Sequence, residues 1–391
     1  MEKIILHCDL NNFFASVECA LNPLLKNYPM AVCGSAEDRH GIVLAKNDLA
    51  KATGVTTAEV IWKAKQKCPN LVCVKPNMKK YIEYSKKVQE IYRQYTDLVE
   101  PFSIDECFLD VTASTLLFGN GYDIAFKIKE QVKKELDLTI SVGVSYIKIF
   151  AKLASDMKKP DAITTISKEN FKEKIWDLPV NTLMGVGKSN YKTLCKYGVY
   201  TIGDLANSDK DFITRIIGKN GEKLWEYSNG IDNSKVTVPS EEYRQKSISN
   251  STTCKENLTC NDDVWRVIYS LADNISMNLI DNNIKAFTVQ CSIKDSNLNT
   301  VEFQKTLEFP TRNPKYISEI AYKLFTEKYD WKNPVRAVGI SLNNLLRDNE
   351  PVQLSLTFCN ENEDLEKNIF SIRKKYGDTT ITRASLIDTQ K

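Results

Sequence analysis

Three acidic residues fall where hydrophobic runs stop. Asp9 follows the apolar stretch Ile4 to Cys8, and Asp105-Glu106 separates the strand-like runs that begin at Val99 and end at Val111. A carboxylate at such a place is costly to desolvate, and a divalent cation is the commonest way to keep it charged. Three hard oxygen ligands suit Mg2+ or Mn2+ rather than zinc, and Mg2+ keeps open positions for phosphate oxygens. In a regular strand Asp105 and Glu106 would point to opposite faces. Both meet one cation only through a tight turn, which Ser103-Ile104-Asp105-Glu106 could supply. Standing alone, that pair would read as solvated turn carboxylates.

Phosphates need cations, and Lys148, Lys152, Lys158 and Lys159 recur along one helical stretch and its end. Lys152 and Lys159 are about two helical turns apart, so they share a face. Lys46 and Lys51 add charge from an inserted segment. A second signal is Leu178-Pro179 followed by Gly185-Val186-Gly187-Lys188, where a helix meets glycines and a second helix runs from Lys188 to Tyr197. Such a hairpin can aim helix N-terminal amides at a backbone phosphate without reading bases. A plain helix–helix turn is the alternative. The third signal is Gln353-Leu354-Ser355-Leu356-Thr357-Phe358, a short extended peptide able to place apolar anchors in a partner groove.

The elements that must position these groups alternate. Ile4–Cys8 reads as a strand covered on both faces, ended by Asp9. Asn11 and Asn12 are candidate caps for a helix over Phe13–Ala20. Strands over Pro29–Gly34 and Gly41–Ala45 and helices over Asp48–Thr53 and Ala58–Cys68 follow. Lys79–Tyr95 is a long amphipathic helix, and Val99–Val111 is two strands around a turn. A helix over Ile124–Leu136, a strand over Thr139–Val144 and a helix over Ile149–Met157 complete a ferredoxin-like layer. From Ile166 to Asn233 the pattern is helical, Val236–Glu242 is a linker, and 244–347 forms a second α+β unit. That unit has helices over Asp262–Asn278 and Pro314–Lys328, and strands over Thr288–Ile293, Val301–Leu307 and Val335–Leu342. Glu350–Lys391 reads as a tail.

The 391 residues suggest two to four domains, and 42% hydrophobic with 26% charged residues is ordinary globular composition. A net charge of +3 excludes a basic tail and an acidic solvating chain. No run approaches the roughly 18 apolar residues of a membrane helix, and the N-terminus enters a strand-like run directly and carries a carboxylate where a signal peptide would be apolar, so a cytoplasmic protein without a membrane partner is expected. Eleven cysteines without a CxxC pair, with only His7 and His40 to assist, argue for buried thiols rather than a zinc site.

Together these residues resemble the Y-family translesion DNA polymerases of the DNA polymerase IV type. The resemblance rests on Asp9 with Asn12-Phe13-Phe14-Ala15-Ser16-Val17-Glu18, on Ser103-Ile104-Asp105-Glu106, and on Ala151-Lys152-Leu153-Ala154-Ser155-Asp156-Met157-Lys158-Lys159-Pro160. Gly185-Val186-Gly187 and Lys246-Ser247-Ile248-Ser249 follow in the family's order. It implies an α+β multidomain right hand. A ferredoxin-like palm would span 1–22 and 79–165, and small fingers 23–78. A helical thumb with a helix-hairpin-helix would span 166–235. A linker over 236–243, an α+β little finger over 244–349 and a tail over 350–391 would complete it.

The same resemblance implies roles. Asp9, Asp105 and Glu106, with the Leu10 carbonyl, would hold two Mg2+ ions. Phe14 would be a steric gate against ribose. Phe13, Lys51, Lys152 and Lys159 would meet the incoming deoxynucleoside triphosphate. Gly185, Gly187, Lys188 and Lys246 would contact primer-template DNA. Gln353, Leu356 and Phe358 would engage the replication sliding clamp, and the chain would act as a monomer. One departure bears on the fingers: where the family has Tyr-x-x-Arg, this chain has Asp48-Leu49-Ala50-Lys51. An arginine fork becomes a point charge, and an anion faces an anionic substrate unless Asp48 turns away. Two further readings stand beside a polymerase: a palm-fold nucleotide cyclase and a catalytically weak DNA-binding accessory subunit.

Overall fold

Ile5–Leu10 is buried at every position and is the middle strand of its sheet. The computed structural model describes residues 2–35, 41–238, 245–351, 363–377, 380–384 and 386. They divide into two units, 1–241 and 242–391.

The strands of the first unit are β1 (Ile5–Leu10), β2 (Met30–Cys33), β3 (Val43–Lys46), β4 (Val72–Val74), β5 (Val99–Pro101), β6 (Glu106–Asp110), β7 (Ile140–Ser145) and β8 (Ile163–Ile166). One five-stranded sheet has the order β5-β6-β1-β7-β8. Leu6, Cys8 and Leu10 pack into a core with the helices Met78–Arg93 and Gly121–Leu136. Ile5 packs instead with Phe108 and Ala151, the latter on the helix Lys148–Met157. That helix lies very close to the sheet: a Cβ on Gly143 of β7 would sit 1.9 Å from the Ala151 carbonyl oxygen. Only glycine permits the approach.

The inserted segment builds its own three-stranded sheet, β3-β2-β4, over a small core that includes Val43, Ala50, Ile61 and Leu71. The last part of the unit is helical, and its core joins Phe150 and Leu153 to Ile175, Leu194, Ile213 and Leu224.

The second unit follows the order strand, helix, strand, strand, helix, strand. Its strands are β9 (Ser247–Leu258), β10 (Ile284–Asp295), β11 (Thr300–Thr311) and β12 (Val335–Arg347), arranged β11-β10-β12-β9. The helices Asn261–Asp281 and Pro314–Lys328 pack against the sheet.

Several expectations need correction. Asp9 lies within β1 rather than ending it, paired with Glu106 on one side and Ser141 on the other. Asn12 stands at the helix N-cap with left-handed backbone (φ 51°) and makes no side-chain cap, while Asn11 bonds Ser141 and Thr139. The limb before Gly185 is a 3-10 turn, Val180–Thr182, rather than a helix. β4, β8 and β9 had no counterpart in the pattern.

The tail carries a helix, Glu363–Tyr376, tied to the second unit by buried charge. Arg373 Nη1 donates to Asp273 Oδ2 at 2.7 Å, and Arg383 Nη2 donates to both Glu366 oxygens. Asp273, Glu366 and Arg373 are all buried. Arg383 Nε also reaches Asp273 Oδ1 at 3.3 Å, so loss of Arg373 leaves that carboxylate one partner and costs less than the about 3–5 kcal/mol of a stranded buried charge. Arg373→Ala is expected to lower the melting temperature and expose this helix to limited proteolysis, with primer extension retained. The peptide Gln353–Phe358, with Leu356, lies outside the described residues.

Candidate active site

Alternation along β1 sends His7 and Asp9 to one face and Cys8 to the other. Antiparallel register sets Asp9 opposite Glu106. The turn before β6 is closed by the Phe102 and Ser103 amides, both donating to the Glu106 carbonyl. It takes Asp105 out of the strand, and Leu10 N donates to its carbonyl. Asp9, Asp105 and Glu106 therefore line one cavity of about 310 Å³, together with Leu10, Phe13, Phe14 and Lys159.

The cations already in this cluster are lysines. Lys152 Nζ donates to Glu106 Oε1 at 2.9 Å and to Asp9 Oδ2 at 3.3 Å, and Lys159 Nζ donates to Asp9 Oδ2 at 2.7 Å. Asp105 is turned aside, its Oδ1 accepting from Ser103 Oγ at 2.6 Å. Among the described residues no group of three His, Cys, Asp or Glu side chains is gathered closely enough to hold a metal ion. The expected convergence is thus incomplete: two carboxylates share an ammonium, and the third lies on the cavity wall.

Burial pushes the Asp9 carboxyl up to about 6 despite Lys159 and Lys152. Burial pushes Glu106 the same way, but the His7 and Lys152 contacts outweigh it and hold that carboxyl at about 2. Both lysines are also desolvated, yet their acidic partners leave both ammoniums raised. Lys148 faces elsewhere: its ammonium bonds both Glu100 oxygens.

The sequence pattern did not single out His7 for this site. Fully buried, it contacts Ser155 Oγ through Nδ1 at 2.8 Å, and its Nε2 is 3.5 Å from Glu106 Oε2. Ser155 Oγ in turn donates to the Lys152 carbonyl, tying His7 to the helix that carries Lys152. The available signal was its place two residues before Asp9 in a strand.

Phe14 stacks on Tyr81, ring centroids 4.3 Å apart and 14° from parallel. Tyr81 is fully buried, and its hydroxyl donates to Glu18 at 2.6 Å. Asp48 is held by Asn12, whose Nδ2 donates to Oδ1 at 3.0 Å, and lines a neighbouring cavity with Lys26 and Asp137. Lys51 is exposed and lines neither cavity. Gly185 takes φ +97°, and Gly187 is the exposed N-cap of the helix Lys188–Lys196. Lys246 is exposed just before β9.

Comparison with known proteins fits this geometry. Residues 8–156 match the model of the impB/mucB/samB family, and residues 245–356 match that family's C-terminal domain. The DNA polymerase IV of Acetivibrio thermocellus is 48% identical over 392 residues, covering 99% of this chain and 98% of that protein. The DNA polymerase IV of Clostridium acetobutylicum is 35% identical over the full length of both. Among solved structures, a Y-family DNA polymerase chimera of Dbh and Dpo4 superposes with a TM-score of 0.79 at 25% identity, covering 88% of this chain and 99% of that one. The two family matches and the end-to-end identity establish that the chain belongs to the impB/mucB/samB family, the Y-family DNA polymerases.

Proposed function

We propose that Asp9, Asp105 and Glu106, with the Leu10 carbonyl, hold two Mg2+ ions beside a primer 3′ end. That the chain is a DNA-directed DNA polymerase of translesion synthesis, acting on DNA and nucleotides and using divalent metal, follows from its family. The observation carrying the site assignment is the cavity itself: three carboxylates, from β1, from the turn before β6 and from the first residue of β6, line one space with Phe14. The donor set fits a hard cation, being all oxygen, and two ammoniums already balance the buried charge. Metal at such a site acidifies the attacking hydroxyl and stabilises the departing pyrophosphate.

The chain's own groups do the rest. The Lys152 and Lys159 ammoniums move from the carboxylates to triphosphate oxygens, and Asp105 rotates from Ser103 into the cavity. Phe14 closes the sugar side, beside Phe13. In this reading 1–22 with 79–165 is the palm, 23–78 the fingers, 166–235 the thumb and 244–349 the little finger, joined through 236–243. The amides at Gly187 and Lys188, turned by Gly185, meet the DNA backbone, as does Lys246. The segment 350–391 would carry the clamp contact, and the enzyme would act as a cytoplasmic monomer. No helix among the described residues is long and apolar enough to cross a membrane.

The test runs a templated primer with deoxynucleotides beside nucleoside triphosphates alone, in Mg2+. Extension in the first and no cyclic product in the second is the expected result, and the relatives do not favour the cyclase or accessory-subunit readings. Asp105→Ala should abolish extension while duplex binding survives; normal extension would refute the metal assignment. DNA affinity should fall about 10³-fold between 50 and 200 mM salt, the loss for roughly six neutralised phosphates. A flat salt dependence would exclude a phosphate-tracking groove.

A further inference from the structure

The inserted segment reaches the carboxylate cavity through β3 rather than through the helix Asp48–Ala52. Leu44, Ala45 and Lys46 lie on the cavity wall, with Thr57 beside them. Lys46 Nζ donates to Thr57 Oγ1 at 3.1 Å. No carboxylate among the described residues forms an ion pair with Lys46, whereas Lys159 is paired with Asp9 and Asp156. Burial and the Lys51 ammonium push the Lys46 ammonium below its ordinary range against the opposing pull of the Glu59 carboxylate, and an arriving anion would favour its charged form.

No residue of the neighbouring helix Asp48–Ala52 lines the carboxylate cavity. Asn47 caps it, accepting from Ala50 N, and its amide also donates to the Tyr28 carbonyl. Asp48 is tied to Asn12 and lines the neighbouring cavity rather than the carboxylate one. Lys51 stays exposed outside that cavity.

We propose that Lys46, oriented by the Thr57 hydroxyl, is the contact this segment makes to the triphosphate of the incoming nucleotide, in place of a side chain at position 51. The inference rests on the polymerase reading and deepens it. A charged hydrogen bond to phosphate lost without replacement weakens binding about ten- to hundredfold.

The experiment compares wild type with Lys46→Gln, Lys46→Arg, Thr57→Val and Lys51→Gln. It measures KM and kcat for a deoxynucleoside triphosphate, and equilibrium binding of its α,β-non-hydrolysable analogue to the enzyme–primer-template complex in Mg2+. Lys46→Gln should raise KM and the analogue Kd about ten- to hundredfold, with primer-template affinity and melting temperature unchanged. Thr57→Val should raise KM severalfold, Lys46→Arg, which keeps the charge, should lose less than Lys46→Gln, and Lys51→Gln should also lose less than Lys46→Gln. Unchanged analogue affinity in Lys46→Gln, or the larger loss in Lys51→Gln, would overturn the proposal. A wild type that fails to extend any primer would overturn the polymerase reading, and this proposal with it.

Discussion

Asp9→Asn and Glu106→Gln should each reduce templated primer extension by at least about a thousandfold, yet shift fold stability in opposite directions. The activity loss is the common part, since removing a metal-binding carboxylate forfeits several kcal/mol of transition-state stabilisation. The stability difference comes from where each carboxyl titrates. Asp9 rises from an ordinary 3.8 to about 6 in the fold. Between those values the folded chain binds more protons than the unfolded one, so stability falls as pH rises. Above pH 6 the charged Asp9 destabilises the fold by up to about 3 kcal/mol. Asparagine keeps the shape and drops the charge, and Lys159 retains Asp156 at 2.8 Å. Asp9→Asn should therefore melt a few degrees above wild type at pH 7.5.

Glu106 is the opposite case, held at about 2 against an ordinary 4.5. Its contribution is present above pH 4.5 and lost as pH falls toward 2. Glu106→Gln keeps neither the anion for Lys152 nor that stabilisation, so it should melt below wild type at pH 7.5. Metal binding requires the deprotonated carboxylate, so Mg2+ should raise the wild-type melting temperature more at pH 7.5 than at pH 5.5. An Asp9→Asn chain that melts below wild type, or either variant extending primers normally, would refute this assignment.

The carboxylates were legible because hydrophobic runs stop at them, a one-dimensional signal that register then turns into a meeting of Asp9 with Glu106. The turn at Ser103–Glu106 was legible for the same reason. His7 was harder: it reads as one more residue of an apolar strand until the helix Lys148–Met157 brings Ser155 to its ring. That close packing hangs on Gly143, more than a hundred residues from His7.

Other elements carried too little pattern. β9 is mostly polar, with Ile248 its one fully buried residue, and pairing with β12 makes it a strand. The tail helix gains its meaning from Asp273, a hundred residues away from Arg373. Asn12 looked like a cap because asparagine often is one. Its left-handed backbone and its bond to Asp48 show that it serves the junction with the inserted segment instead.

Phe14→Ala should admit ribonucleotides, raising the ratio of ribo- to deoxyribonucleotide incorporation at least about tenfold. A ring that crowds a 2′-hydroxyl excludes it by overpacking, worth about 1–3 kcal/mol. Such a gate works only if the ring cannot yield, and the packing here denies it room. Phe14 lies flat on Tyr81, with Phe13 at 5.6 Å, and Tyr81 is itself anchored through Glu18 on the helix that carries Phe14. The ring is thus braced from behind, while its other side lines the cavity with Asp9 and Glu106. Truncation to alanine removes the barrier and leaves the carboxylates in place, so deoxynucleotide extension should persist. Tyr81→Phe keeps the stack without the hydroxyl, and should keep the discrimination. Unchanged sugar selectivity in Phe14→Ala, with deoxynucleotide extension intact, would remove the gate from this residue.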